Sequence, residues 1–141
     1  MIVLDTNVLS ELMSPRPAKA VTRWVSRRPA SLLYSTTVTR AEILYGVLLL
    51  PSGRRRKTIE ALAEAMFEQD LAGRVLGFDN EAARAYAEIA VSRRRAGRPI
   101  SHFDAQIAGI ARASGAAVAT RNVTDFDGCG IEVVDPWSDP A

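Results

Sequence analysis

Short apolar runs of strand length alternate along this chain with longer segments whose apolar residues recur at helical spacing, and that alternation admits few folds. Ile2 to Leu4 ends in Asp5-Thr6-Asn7 and feeds a helical pattern through Leu9, Leu12 and Met13 that stops at Pro15 and Pro17. A second helix is expected from Ala18 to Arg28 around Val21, Trp24 and Val25, then a strand from Ser31 to Ser35 punctuated by Thr36-Thr37. Thr39 to Leu50 reads as a strongly apolar helix ended by Pro51-Ser52-Gly53, and Arg54 to about Gln69 as a more amphipathic one. Arg74 to Phe78 is a short strand, and Asp79 or Asn80 can cap a helix whose apolar face carries Ala83, Tyr86, Ala87 and Ala90. Ser101 caps the next helix, which runs to Ala113 with Gly115 as its stop. Ala116 to Thr120 is a small-residue strand, Asn122 to Asp127 a turn, and Ile131 to Val134 a last strand before Pro136-Trp137.

Strands alternating with helices predict an α/β fold with a central parallel sheet covered on both faces. In such sheets sites form beyond the carboxyl ends of the strands. Asp5 and the segment from Thr120 to Asp125 lie at such ends. With 141 residues, 48% of them hydrophobic, a single domain over 1–141 is expected.

Composition narrows the function classes. The one cysteine, Cys129, rules out an intramolecular disulfide framework and fits a reducing compartment, so a cytoplasmic location is expected. The opening apolar run is cut off by Asp5 without a basic region before it, and Ile43 to Leu50 is far shorter than the ~20 residues of a membrane helix. Neither a signal peptide nor a membrane span is predicted. Net charge is +2, yet 16 of the 18 basic residues are arginine, bunched at 27–28, at 54–56 beside Lys57, and at 93–95 with Arg98 close behind. Arginine's planar fork can bond two phosphate oxygens at once, so these clusters are either solvated helix ends or a grip on a nucleic-acid backbone.

Three acids stand out against apolar surroundings: Asp5 after the first strand, Glu42 within Ala41-Glu42-Ile43-Leu44-Tyr45, and Asp104 within Ile100-Ser101-His102-Phe103-Asp104-Ala105-Gln106-Ile107-Ala108. A buried carboxylate is costly unless it is paired, hydrogen-bonded or bound to a cation. The helix neighbours of Glu42 are Val38, Thr39, Tyr45 and Gly46, and those of Asp104 are Ile100, Ser101, Ile107 and Ala108, none of them basic. A shared divalent cation would supply the missing charge, and magnesium favours such oxygen-rich sites. The competing explanation is local: Thr39-Arg40-Ala41-Glu42 and Ser101-His102-Phe103-Asp104 both have capping-box spacing, and Asp5 could simply cap the next helix. The two roles are compatible, because helix starts favour anionic side chains. Asp125 and Asp127 sit in a Thr-Asp-Phe-Asp-Gly turn that would be unremarked alone, and His102 reads as a bystander. With one histidine, paired-imidazole ribonuclease chemistry is not available.

These residues carry a resemblance. Ile2-Val3-Leu4-Asp5-Thr6-Asn7-Val8-Leu9-Ser10-Glu11-Leu12, then Thr39 to Gly46, Pro99-Ile100 with Asp104 to Ala108, Ala119-Thr120-Arg121-Asn122 with Asp125-Phe126, and the Pro136-Trp137 ending resemble, in that order, the PIN domains of the VapC and FitB-like branch. The resemblance covers essentially the whole chain. It implies a three-layer α/β/α fold, metal-dependent endoribonuclease activity with Mg2+ or Mn2+, a homodimer, and a cognate antitoxin occupying the active-site groove. Carried over by position, Asp5, Glu42 and Asp104 match the acidic metal ligands, and Thr6 matches a hydroxyl residue that orders the pocket. Many PIN domains have an aspartate where this chain has Asn122, and the nearest acid is Asp125. An asparagine oxygen can still bond a water of the ion's shell, so one firm metal site is expected, with a second assembled only with substrate.

On this reading Asp5 and Asp104 bind the cation, Glu42 orients or deprotonates the water, Asn122 or Asp125 completes the outer shell, and arginines at 54–56 or 93–98 hold RNA at the rim. Two alternatives remain at this level. One is a phosphatase forming an aspartyl-phosphate on Asp5, although its usual second acid is replaced by Asn7. The other is a catalytically inactive RNA- or protein-binding module whose acids are only helix caps.

Overall fold

The N-terminal apolar run forms β1 (Ile2–Leu4), the central strand of the sheet; the computed structural model describes residues 1–139. β2 (Leu33–Thr36) lies on one side of β1 with β3 (Val75–Leu76) beyond it, and β4 (Ala117–Ala119) lies on the other side with β5 (Val133–Val134) at the far edge. The order is β3-β2-β1-β4-β5 and every pairing is parallel, with Leu4 opposite Ala119.

Successive strand residues point to opposite faces, which divides the core in two. Leu4 and Leu33 join Leu9, Trp24, Ile43 and Phe67 under α1 (Thr6–Met13), α2 (Lys19–Ser26), α3 (Thr37–Leu49) and α4 (Arg54–Ala65). Val3 and Val118 join Ala82, Ile89, Ile107 and Phe126 under α5 (Asn80–Arg95) and α6 (His102–Ala113). The expected three-layer α/β/α arrangement is therefore the observed one. Among the described residues no helix is long and apolar enough to cross a membrane.

Three local readings need correction. Ser31 and Leu32 belong to a 3-10 turn (Ala30–Leu32), because pairing with β1 begins at Leu33; the Arg74 guanidinium donates to the Ala30, Leu33 and Asp70 carbonyls and so seals that turn. Arg74 is thus a bracket, and β3 is only Val75–Leu76. Second, α3 starts at Thr37: Thr36 ends the strand and its hydroxyl accepts from the Thr39 backbone N–H at 3.0 Å, so no loop separates β2 from α3. Third, the buried stripe of α5 is Ala82, Ala85, Ile89 and Arg93, one position round from the expected face. The stripe was obscured because its last member is charged.

Helices α5 and α6 touch through backbone. A Cβ at Gly109 would stand 2.8 Å from the Ala82 carbonyl oxygen and 2.9 Å from the Tyr86 nitrogen, and neither atom can move without its helix. Gly109→Ala gains up to about 1 kcal/mol in helix propensity, but the clash outweighs it. A net loss of about 1–3 kcal/mol is expected in urea denaturation; an unchanged midpoint would show that the helices part freely.

Candidate active site

β1 lies where the strand order reverses, with β2 and β3 to one side and β4 and β5 to the other. Such a switch point opens a crevice at the carboxyl ends of the strands. Asp5 follows β1 there, and Thr120 follows β4; the Asp5 N–H donates to the Ala119 carbonyl at 2.9 Å, extending the ladder to the acid itself.

Asp5 is buried, with 5% of its surface exposed, and its partners are all neutral. One carboxylate oxygen accepts from the Thr6 N–H at 2.8 Å, capping α1, while the other accepts from the Thr120 hydroxyl at 2.8 Å and from the Asn7 amide at 3.4 Å. Asn7 also donates to Thr120 Oγ1 at 3.2 Å, and its carbonyl accepts from the Arg121 N–H at 3.3 Å. Burial pushes the Asp5 pKa up to about 6; the bonds from Thr120 and Thr6 oppose the rise, and the negative charges of Asp104 and Glu42 add to it.

Glu42 lies within α3, and its carboxylate accepts from the Thr6 hydroxyl at 2.8 Å; Thr39 Oγ1 stands 3.2 Å from the same hydroxyl. The capping-box explanation for Glu42 fails, since the cap is Thr36 and Thr39 is already inside the helix. Asp104 is in the first turn of α6, where Ser101 caps the helix by accepting from the Asp104 N–H at 3.2 Å. Burial raises both acids above the ordinary carboxylate range, opposed by Thr6 for Glu42 and by Ser101 for Asp104; Asp104 adds to the rise at Glu42, and Asp125 adds to that at Asp104.

Asp5, Thr6, Glu42, Asp104 and Asn122 line one open cavity of about 520 Å³, together with Asn7 and the exposed edge of α1. Asp125 is outside that lining and reaches it only through its charge on Asp104. Sequence reasoning missed Asn7 and Thr120 as the donors that fix Asp5, although both lie in the motifs quoted above. Among the described residues no three carboxylate, imidazole or thiol groups close into a ready-made cage. The donor set still suits a hard cation that keeps several waters, since it is carboxylate oxygen throughout and Asp5 is buried without a basic partner.

A second groove of about 830 Å³ runs between α1, α3 and α4 and shares Thr6, Ser10, Ser14 and Glu42 with the acid cavity. Arg54 and Arg55 line it. The 93–98 cluster is different: Arg93 is buried, with its guanidinium spent on backbone carbonyls, and Arg98 pairs with Asp127 at 3.3 Å. Arg93 is therefore not a grip at the rim, whereas Arg98 remains exposed.

The PIN domain family model matches residues 2–127. The chain belongs to the PIN-domain family. It is 40% identical over 137 residues to the VapC ribonuclease Y4jK of Sinorhizobium fredii, covering 97% of this chain and 98% of that one. It is 34% identical over 139 residues to Toxin FitB of Neisseria gonorrhoeae, covering 99% and 100%. The crystal structure of FitAcB from Neisseria gonorrhoeae superposes with a TM-score of 0.87 at 35% identity, covering 98% of this chain and 99% of that one. This PIN domain thus places its acids, hydroxyls and asparagines at the one edge of the sheet where chain order turns back.

In the metal-free protein Asp5 holds its proton to about pH 6 when folded, against 3.8 for an aspartate free in water. The folded state therefore binds the extra proton between those values. Stability from this group is full below about pH 4 and is lost as pH rises through 6, a loss of roughly 3 kcal/mol. Urea denaturation in chelator should show that decline in the parent and its flattening in Asp5→Asn; an identical slope in both would assign the titration elsewhere.

Proposed function

We propose that this PIN domain is a metal-dependent endoribonuclease hydrolysing RNA phosphodiester bonds, the toxin of a toxin–antitoxin pair. The observation that carries the reading is the convergence of Asp5, Glu42 and Asp104, distant in sequence, on one cavity without a basic partner for Asp5. The names VapC ribonuclease and Toxin FitB, borne by relatives that match nearly end to end, support the substrate class and the role.

Asp5 and Asp104 would hold Mg2+ or Mn2+, with Glu42, Asn122 and Asp125 around it. When bound, the ion lowers the pKa of water and offsets charge on the phosphate. Asp5 is fixed by three donors that leave its ionised form hydrogen-bonded. Glu42, oriented by the Thr6 hydroxyl and raised in pKa, is suited to accept a proton from the attacking water. Asn122 stands at the cavity wall where a further acid would bring another charge, which favours one firm ion. Arg54 and Arg55 line the groove that shares Glu42 with the acid cavity and would hold RNA phosphates.

A toxic nuclease needs a restraining partner, and the groove beside Glu42 offers an antitoxin a seat against the catalytic acids. The exposed Leu44, Tyr45, Leu48 and Leu49 on α3 form an apolar face that a second copy would cover. Sedimentation at micromolar concentration should give a dimer; a monodisperse monomer would remove that part of the reading.

Pure protein should cut single-stranded RNA with Mg2+ or Mn2+ and stop in chelator. Asp5→Asn and Asp104→Asn should each lower the rate by about 100-fold or more, the scale of losing an ion's transition-state stabilisation. Cleavage that survives both chelator and Asp5→Asn would overturn the metal reading. Stable binding of RNA without cleavage, with a melting temperature indifferent to metal, would favour an inactive binding module.

A further inference from the structure

Arg93 lies at the end of the buried stripe of α5, and its own surface is 7% exposed. A buried guanidinium has five donors and is expensive unless they are used. Here two of its nitrogens are used: Nε donates to the Arg98 carbonyl at 2.7 Å, and one terminal nitrogen donates to the carbonyls of Asp125 at 2.7 Å and Asp127 at 3.0 Å, with Cys129 Sγ at 3.8 Å. The first carbonyl belongs to the linker that leads into α6 and Asp104. The other two belong to the loop that follows β4 and carries Asn122 and Asp125. One side chain therefore ties together the two segments that bring Asp104 and Asn122 to the cavity. Its charge also opposes the rise in the Asp104 pKa.

Resting on the ribonuclease reading, we infer that Arg93 is a positioning residue, a buried fork that holds the α6 entry and the post-β4 loop in the spacing at which Asp104 and the Asn122–Asp125 segment serve one ion. It touches neither RNA nor the ion. A lysine keeps the charge but cannot bridge carbonyls on two segments with a planar fork.

The test compares Arg93→Met and Arg93→Lys with the parent, using free Mn2+ followed by electron paramagnetic resonance and, separately, RNA cleavage kinetics. For folded Arg93→Met the Mn2+ half-saturation concentration should rise by about 10-fold or more and kcat fall by a similar factor, as for other residues that orient metal ligands from behind. KM for RNA at saturating Mn2+ should stay within about 2-fold, and Arg93→Lys should recover part of the loss. Parent-like Mn2+ binding and kcat in folded Arg93→Met would overturn the assignment, as would a raised KM with kcat unchanged, which would mark Arg93 as an RNA contact. If the methionine variant does not fold, Arg93→Lys decides: parent-like Mn2+ affinity overturns the inference and a weakened one supports it. A parent that binds Mn2+ without cutting RNA would defeat the ribonuclease reading, while the Mn2+ arm would still judge Arg93.

Discussion

The rest of the site depends on one buried carboxylate at the end of the central strand. Asp5 is held by a backbone N–H, a threonine hydroxyl and an asparagine amide, so its geometry is fixed while its charge is left unanswered. An arginine there would have made a stable ion pair and closed the site. Neutral donors keep the oxygens hydrogen-bonded yet leave the negative potential for a cation to relieve. The price appears as a pKa near 6, higher than a carboxyl would show in water.

The fold delivers the other polar side chains of the cavity by independent routes. Glu42 arrives on α3, which grows directly out of β2; Asp104 arrives on α6, whose approach to α5 is set by Gly109; Asn122 arrives on the loop after β4. Thr6 links Asp5 and Glu42, donating its hydroxyl to Glu42 and its backbone N–H to Asp5. Arg93 connects the segments on the far side. Asp5 and Glu42 are thus held by hydroxyl, amide and backbone donors and not by another acid.

Much of this was legible in the sequence. The alternation of strand and helix patterns gave the layered parallel sheet, and acids stranded among apolar residues without local counter-charge marked Asp5, Glu42 and Asp104. The supporting donors were not legible, because Thr120 binds Asp5 across 115 positions and short hydroxyl residues at strand ends look like turn formers. The face of α5 was misjudged for a related reason: periodicity counts arginine as polar, whereas Arg93 is buried by main-chain carbonyls that no local pattern reveals. Arg54 and Arg55 line a groove whereas Arg93 is buried, a difference that clustering alone could not reveal.

Thr36 is both the final residue of β2 and the cap of α3, so strand and helix share a hinge-free joint. Insertion of one residue between that joint and Glu42 would turn the glutamate by about 100° around the helix axis and aim it away from the acids. The segment around Pro51 to Gly53, by contrast, is exposed and joins two helices beyond the acid. Length variation among descendants of this chain should therefore accumulate in that bend and be purged from the junction, whatever side chains occupy either place.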